Sequence, residues 1–398
     1  MAAGSRPRAA DANNKYFMFD YQKNRRFFAQ TQHRLESTAR EELAELGASK
    51  CTDSYCGVYF EAPPAVLYKI NYCARTISRV LAPLFHFSCP SDRVLYKKAY
   101  ELPWSEILSL KQTFAIDSNV SNSDITHSRF AALRLKDAVV DYFRKTLGQR
   151  PDVNPLRPDV RLNLNIRENR AVISLDTSGE SLHRRGYRVV SVSAPMQETL
   201  AAAIIRLSGW QGEKPLLDPL CGSGTLLAEA LMKYCGIPAG FKRNISDFGF
   251  FHMPDFDSHA WKQVKHTVDK NIRPCPGGLI TGSDIDKKAV YAARQNLKEI
   301  SGSGWPAAPV SVYQRDFRRP GKTENHMIIT NPPYGLRIHS GDIYKELGDF
   351  LKQQCGGSTA YILCGDIEST KHIGLKISQR IPLYNGPLDA RLVKIEIY

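Results

Sequence analysis

Long apolar runs are missing from this chain of 398 residues, and none approaches the length needed to cross a bilayer, so no membrane span is expected. The first fifteen residues, MAAGSRPRAADANNK, lack the apolar stretch of a secretory signal. Asp11 and the absence of an amphipathic pattern also argue against a transit peptide, despite Arg6 and Arg8. A disordered tail over residues 1–22 is the expectation. Cys-x-x-Cys pairs are missing too. The nine cysteines are an odd number, and several lie in apolar runs such as Tyr361-Ile362-Leu363-Cys364. They read as reduced core thiols in a cytoplasmic compartment, with neither a disulfide framework nor a metal site expected. Internal repeats and low-complexity tracts are absent.

What is present suits a multidomain globular protein. The length exceeds what one core usually supports, which predicts two or three domains. Hydrophobic residues make up 42% and charged residues 24%. The formal charge is +14 and unevenly spread: residues 1–190 hold 29 Lys and Arg against 20 Asp and Glu, the remainder 25 against 20. An anionic partner such as nucleic acid fits this balance, with the front half as the grip.

Patterning divides the chain near residues 180–195. Before it, Leu35, Ala39, Leu43 and Leu46 mark a helix stopped by Gly47, Gly57 to Phe60 a strand, and Pro64 to about Leu81 a second helix. Thr113 to Val120 reads as a strand, Ser128 opens a helix, and strands cover Val160 to Arg167 and Ala171 to Thr177. This is an α+β texture. After the boundary, strands and helices alternate as in a βαβ sheet: strands at 215–218, 278–284, 310–313, 326–330, 360–364 and 392–398, helices at 225–234 and 287–299. Residues 236–276 are too long for a plain connection and predict an insertion covering one edge of the site.

The motifs fall at strand ends of the rear half. Leu216-Leu217-Asp218-Pro219-Leu220-Cys221-Gly222-Ser223-Gly224-Thr225 is a buried strand ending in an acid, then a glycine loop, then a helix. Gly222 and Gly224 let the backbone approach a ligand, and the helix start offers N–H groups. The loop is neither a phosphate-binding Gly-Lys-Ser/Thr loop nor a dinucleotide G-x-G-x-x-G. Asp284, 66 residues after Asp218, suits ribose hydroxyls with Ile285 beside it, whereas Asp286 reads as a helix cap. Asp316 suits an adenine amino group with Phe317 beside the ring. Finally Asn331-Pro332-Pro333-Tyr334 forms a rigid loop presenting the Asn331 oxygen, the Pro332 carbonyl and the Tyr334 ring. Two acceptors that hold both N–H groups of an aromatic amine draw its nitrogen toward tetrahedral geometry and steady the charge developed on methyl transfer.

Together DPLCGSGT, GSDID, RDF and TNPPYG resemble the RNA methylases that join a THUMP domain to a Rossmann-type methyltransferase, most of all the bacterial 23S rRNA guanine-N2 type. The segments from Ser178 to Arg188 and from Ala194 to Ala201 are similar to that family's domain junction, and Phe248, Phe250 and Trp261 to its insertion. The resemblance implies a class I α/β methyltransferase fold with a mostly parallel seven-stranded sheet over residues 190–398. It implies an α+β front comprising a ferredoxin-like part (23–70) and a THUMP part (71–180). S-adenosylmethionine is the implied cofactor, lined by Asp218, Pro219, Cys221, Gly222, Gly224, Thr225, Asp284, Ile285, Asp316 and Phe317. Asn331, Pro332, Pro333 and Tyr334 are implied to hold guanine N2. The chain ends soon after one methyltransferase domain, so a single modification is expected.

RNA, 23S rRNA or alternatively tRNA, is the expected partner. Contacts are expected from His183, Arg184 and Arg185 at the junction, and from Arg129 and Lys136 on the helix opened by Ser128. A DNA adenine-N6 enzyme is disfavoured by the RNA-binding character of the front half, and a non-catalytic RNA-binding assembly factor by the intact Gly222, Gly224, Asp284 and Asn331 set.

Overall fold

The computed structural model describes residues 17–192, 195–301, 310–319, 321–333 and 340–398. In the front half, α1 (Asp20–Asn24) leads to β1 (Arg26–Thr31), α2 (Glu36–Glu45), β2 (Ser49–Ser54), β3 (Gly57–Glu61), α3 (Pro64–Cys73) and β4 (Ile77–Ser88). There follow α4 (Asp92–Tyr100), β5 (Phe114–Ser121), α5 (Ser128–Leu147), β6 (Val160–Arg167) and β7 (Arg170–Asp176). The seven strands form one sheet in the order β2-β3-β1-β4-β7-β6-β5, antiparallel except for the β5–β6 pair. Strand β4 bonds to β1 on one side and β7 on the other, so the ferredoxin-like and THUMP-like parts share a sheet. A division between residues 70 and 71 falls inside α3.

Two expectations for this half are corrected. The helix read from Pro64 to Leu81 ends at Cys73, Ala74 turns extended, and Ile77 starts the longest strand. Ile77, Val80, Leu81 and Leu84 happen to repeat at three and four residues, which imitates a helix face. Their environment decides otherwise: β-branched side chains between two strands complete the sheet. The end of the segment expected to be disordered is ordered: Phe19 and Tyr21 are buried and the Tyr21 hydroxyl donates to Asp255 at 2.7 Å. Residues 1–16 lie outside the described residues.

The rear half contains α6 (Glu198–Leu207), β8 (Leu216–Asp218), α7 (Thr225–Cys235), α8 (Ser258–Lys270), β9 (Ile280–Asp284), α9 (Lys287–Ser301) and β10 (Ser311–Gln314). It is completed by β11 (Met327–Thr330), α10 (Ser340–Gln354), β12 (Thr359–Cys364), β13 (Ile377–Asn385) and β14 (Leu388–Glu396). Its sheet runs β10-β9-β8-β11-β12-β14-β13; the first five are mutually parallel, β14 pairs antiparallel with both β12 and β13, and the sheet is mixed with β14 as its reversed strand. From β8 the chain moves outward to β9 and β10, then returns to β11 on the other side of β8. Such a reversal opens a crevice at the carboxyl ends of the strands.

The insertion does not cover the site edge. Phe248, Phe250 and Trp261 are buried in the core of the front half, where Phe250 lies 4.7 Å from Tyr68 and Trp261 5.4 Å edge-on from Tyr72. Tyr72 also donates to Asp269 at 2.8 Å. At Gly249 a Cβ would stand 1.8 Å from the Asp176 carbonyl, so the close approach of the two chains requires glycine there. The aromatic side chains of the insertion expected to cover the site edge form a wall of the neighbouring core instead.

A second seam is ionic. Arg185, expected to contact RNA, is instead sealed in the junction with no exposed side-chain surface. Its Nε stands 3.3 Å from Glu229 Oε1, and its guanidinium donates to the carbonyls of Leu182 and, at 2.5 Å, Arg75. Glu229, equally buried, accepts from the Tyr187 hydroxyl at 3.2 Å and faces Arg75 at 4.0 Å. Arg75 from the front half donates in turn to the Met232 carbonyl at 2.8 Å and to that of Ile237. Burial of a charge demands this pairing, and an arginine with no exposed side-chain surface is out of reach of a phosphate on the outside.

Trp261→Ala is expected to destabilise the protein by about 3–5 kcal/mol, and Arg185→Ala by a similar ~3–5 kcal/mol as a buried charge loses its partner. Urea unfolding checks both. An Arg185→Ala protein of unaltered stability but weakened RNA binding would restore the RNA-contact role.

Candidate active site

Four strand ends converge on the crevice in the spatial order β10, β9, β8, β11, and each delivers one polar side chain: Asp316, Asp284, Asp218 and Asn331. The short, buried strands dictate this, because their apolar residues are consumed by the sheet and the first polar residue falls at the rim.

Asp218 is buried, and its Oδ1 accepts from the Thr330 hydroxyl at 2.7 Å and from the Leu220 amide at 3.1 Å. Burial pushes its carboxyl up to about 7, opposed by these two bonds. The Thr330 contact links the end of β8 to the residue immediately before Asn331. Asp284 is half-buried and braces the glycine loop: its Oδ2 accepts from the Gly222 amide at 2.9 Å and its Oδ1 from the Asp286 amide at 2.9 Å. Asp286 caps α9, accepting from the Lys288 amide at 2.8 Å, as its position predicts.

The glycine loop has two different glycines. Gly224, at φ 79°, starts α7, and a Cβ there would press on the Ala293 methyl at 3.0 Å. Gly222, at φ 53°, faces open space, with nothing within 4 Å of where a Cβ would project. The first packs helices; the second leaves room beside the backbone. Pro219 and Cys221 are buried beneath the loop, and burial raises the Cys221 thiol far above its ordinary value, which keeps it an uncharged filler. The buried Thr225 hydroxyl oxygen accepts from Arg188 at 3.1 Å.

Beyond Asp284, Ile285 is exposed and offers an apolar surface beside the half-buried Asp316. Phe317 does not lie open beside it as expected. Its ring is buried against Phe350, edge-on at 5.6 Å, because α10 needs an apolar contact there. At the far end of the row, the Asn331 Oδ1 is buried without a hydrogen-bond partner among the described residues. Buried acceptors are rarely left unpaired, so an orphan of this kind marks a place for an incoming donor. Pro332 is buried and Pro333 exposed. Tyr334 lies outside the described residues.

The RNA-contact candidates separate by environment. Arg184 and Arg129 are exposed; Lys136 is half-buried, 3.3 Å from Asp137. His183 shares a hydrogen bond with the Ser181 hydroxyl at 2.8 Å, and burial among neighbouring arginines lowers its pKa to about 4. It is therefore a neutral ring at pH 7. Sequence reading missed Thr330, Arg188 and Asn296. For Asn296 a signal existed: a polar residue on the α9 face that carries Val290, Ala293, Leu297 and Ile300.

Comparison with known proteins agrees with this architecture. Three family models match: an RMKL-like methyltransferase domain over residues 185–394, a THUMP domain over 91–176 and an RlmL ferredoxin-like domain over 26–81. The chain is 38% identical over 380 residues to slr0064 of Synechocystis sp., provisionally named an RNA methyltransferase, covering 94% of this chain and 97% of that one. It is 37% identical to the ribosomal RNA large subunit methyltransferase K/L of Syntrophotalea carbinolica, covering 94% of this chain but 53% of the relative, so it spans about half of such K/L proteins. Among solved structures, SMU.472, a provisional methyltransferase complexed with SAH, superposes with a TM-score of 0.81 at 26% identity, covering 94% and 98% of the two chains. A protein from Listeria monocytogenes described as a predicted N6-adenine-specific DNA methylase gives 0.80 at 25%, covering 94% and 96%. With a matching methyltransferase model across the rear half and a full-length relative, the chain belongs to the RMKL-like methyltransferase family, carrying THUMP and ferredoxin-like domains at its front.

Proposed function

We propose that this protein transfers a methyl group from S-adenosylmethionine to the exocyclic N2 of a guanine in RNA, with large-subunit ribosomal RNA as its target. The observation that carries the reading is the Asn331 Oδ1 at the end of the strand-end row, buried and without a partner among the described residues. A buried acceptor with no donor suits an N–H that arrives with the substrate. The names of the K/L relatives favour ribosomal RNA, and the net charge of +14 suits a polyanion.

The residues fit the cofactor. S-adenosylmethionine supplies an electrophilic methyl group on a positively charged sulfur. Open space at Gly222 admits its backbone-hugging part, Asp284 accepts from sugar hydroxyls while holding the loop, and Ile285 with Asp316 receives the base. On the acceptor side, Asn331 Oδ1 and the Pro332 carbonyl take the two N–H groups of guanine N2, and Tyr334 stacks on the base, which has left its own helix or loop to reach the crevice. Thr330 keeps the acceptor loop and the cofactor strand in one register through Asp218. Arg184 and Arg129 remain as phosphate contacts, and His183 as an uncharged neighbour.

Incubation with methyl-labelled S-adenosylmethionine and separate rRNA, tRNA and DNA, followed by nucleoside analysis, is expected to give N2-methylguanosine from large-subunit RNA. Label in tRNA alone would redirect the substrate, and label in N6-methyladenine would overturn the reading. Asn331→Ala should lower kcat by about 10²–10³-fold while SAH binding, followed by calorimetry, stays near its original value. Thr330→Val should lower kcat/KM roughly tenfold through one lost buried hydrogen bond. Thr330→Ser, which keeps the hydroxyl, should restore most of it.

A further inference from the structure

One buried side chain near the crevice uses its whole hydrogen-bonding capacity on main chain from two different places. Asn296, on α9 and 1% exposed, accepts with Oδ1 from the amides of Val189 at 2.9 Å and Val190 at 3.0 Å. Its Nδ2 donates to the carbonyls of Val190 at 2.9 Å and Ser223 at 3.0 Å. A primary amide has two donors and one oxygen with two lone pairs, so nothing is left over. Ser223 stands between Gly222 and Gly224. Val189 and Val190 belong to the segment that comes out of the front half, five residues after Arg184. One residue earlier the same segment is fastened again: Arg188 Nη2 donates to the Thr225 hydroxyl at 3.1 Å and to the Met196 carbonyl at 2.7 Å, and lies 3.2 Å from Glu198.

We propose that Asn296 is a positioning residue that straps the domain-junction segment Val189–Val190 to the glycine loop, so that the loop holding the cofactor and the segment leading from the RNA-bearing half are ordered as one unit. The inference rests on the reading of the glycine loop as the cofactor cradle. The physical ground is the difference between the glycines of this loop and their surroundings. Gly222 has no packing on its open side; its amide is held by Asp284, the Cys221 amide donates to the Ser283 carbonyl at 2.9 Å and the Gly224 amide to the Cys221 carbonyl at 2.8 Å, and Asn296 adds a side-chain hold at the Ser223 carbonyl. A loop pinned before a ligand arrives does not lose conformational freedom on binding, which appears as affinity. Because the same amide also pins Val189 and Val190, slackness on either side reaches the other.

Substitution by aspartate is the informative variant: it has the same shape and keeps the acceptors toward Val189 and Val190, but it has no donors for Ser223 or Val190. Asn296→Asp and Asn296→Ala are expected to weaken SAH binding, measured by calorimetry, by about tenfold or more. In turnover, the donor KM should rise by a similar factor and kcat fall by less. Unchanged SAH affinity in a folded Asn296→Asp protein would overturn the proposal. Hydrogen exchange on the unsubstituted protein tests it without a variant: saturating SAH should slow amide exchange in peptides covering both 222–225 and 188–191, whereas protection confined to the glycine loop would overturn it. Failure of the unsubstituted protein to bind SAH would remove the cofactor reading and this inference together; SAH binding without methylation of any RNA would remove the proposed function alone.

Discussion

The constraint on which the rest depends is electrostatic: two halves with separate sheets are joined through a charge that water cannot reach. Glu229 on α7 and Arg185 at the junction are both fully enclosed, and Arg75 from the end of α3 closes the group from the other side. A pair of this kind adds little net stability, since desolvation consumes most of the attraction, but it tolerates few alternative geometries because each misalignment leaves a bare charge in a low dielectric. Specificity of docking is what it supplies. At the outer edge, between the front half and the β13–β14 hairpin, a solvent-exposed pair adds a second contact: Arg34 against Asp389 at 2.5 Å, with its guanidinium 4.6 Å from the Tyr384 ring. The catalytic crevice and the basic front are thus held at a fixed separation.

Given that frame, the site is a matter of where strands end. Four adjacent strands stop on the same edge, and the side chains beyond them have nowhere to go but the crevice. What distinguishes them is how much of each side chain is already spoken for. Asp218 is committed to Thr330 and Leu220, Asp284 to Gly222 and Asp286, and the Asn331 oxygen has no partner among the described residues. In the proposed function that unused acceptor is where the substrate amine falls, while the acids brace the loops around it.

The sequence made the rear half legible because parallel strands are short apolar runs with a polar stop, and the motifs sit on the stops. Asp218, Asp284, Asp316 and Asn331 could be placed from that alone. Long-range packing was not legible. Phe248, Phe250 and Trp261 look the same in sequence whether they cover a ligand or complete a neighbour's core, and only the approach of Tyr68 and Tyr72 tells them apart. Arg185 reads as one member of His183-Arg184-Arg185, yet successive side chains point differently, and one goes to solvent while the next meets Glu229. The exposed edge strand β13, interrupted by Pro382, gave no apolar alternation to recognise.

Tyr21 and Asp255 are bonded across 234 positions of chain, and the aromatic group around Trp261 belongs to a core whose first members lie before residue 30. During synthesis the front half therefore leaves the ribosome with an open apolar wall, and the gap closes only when residues 248–261 have been made. Nascent chains of intermediate length present that wall to solvent, to each other and to chaperones.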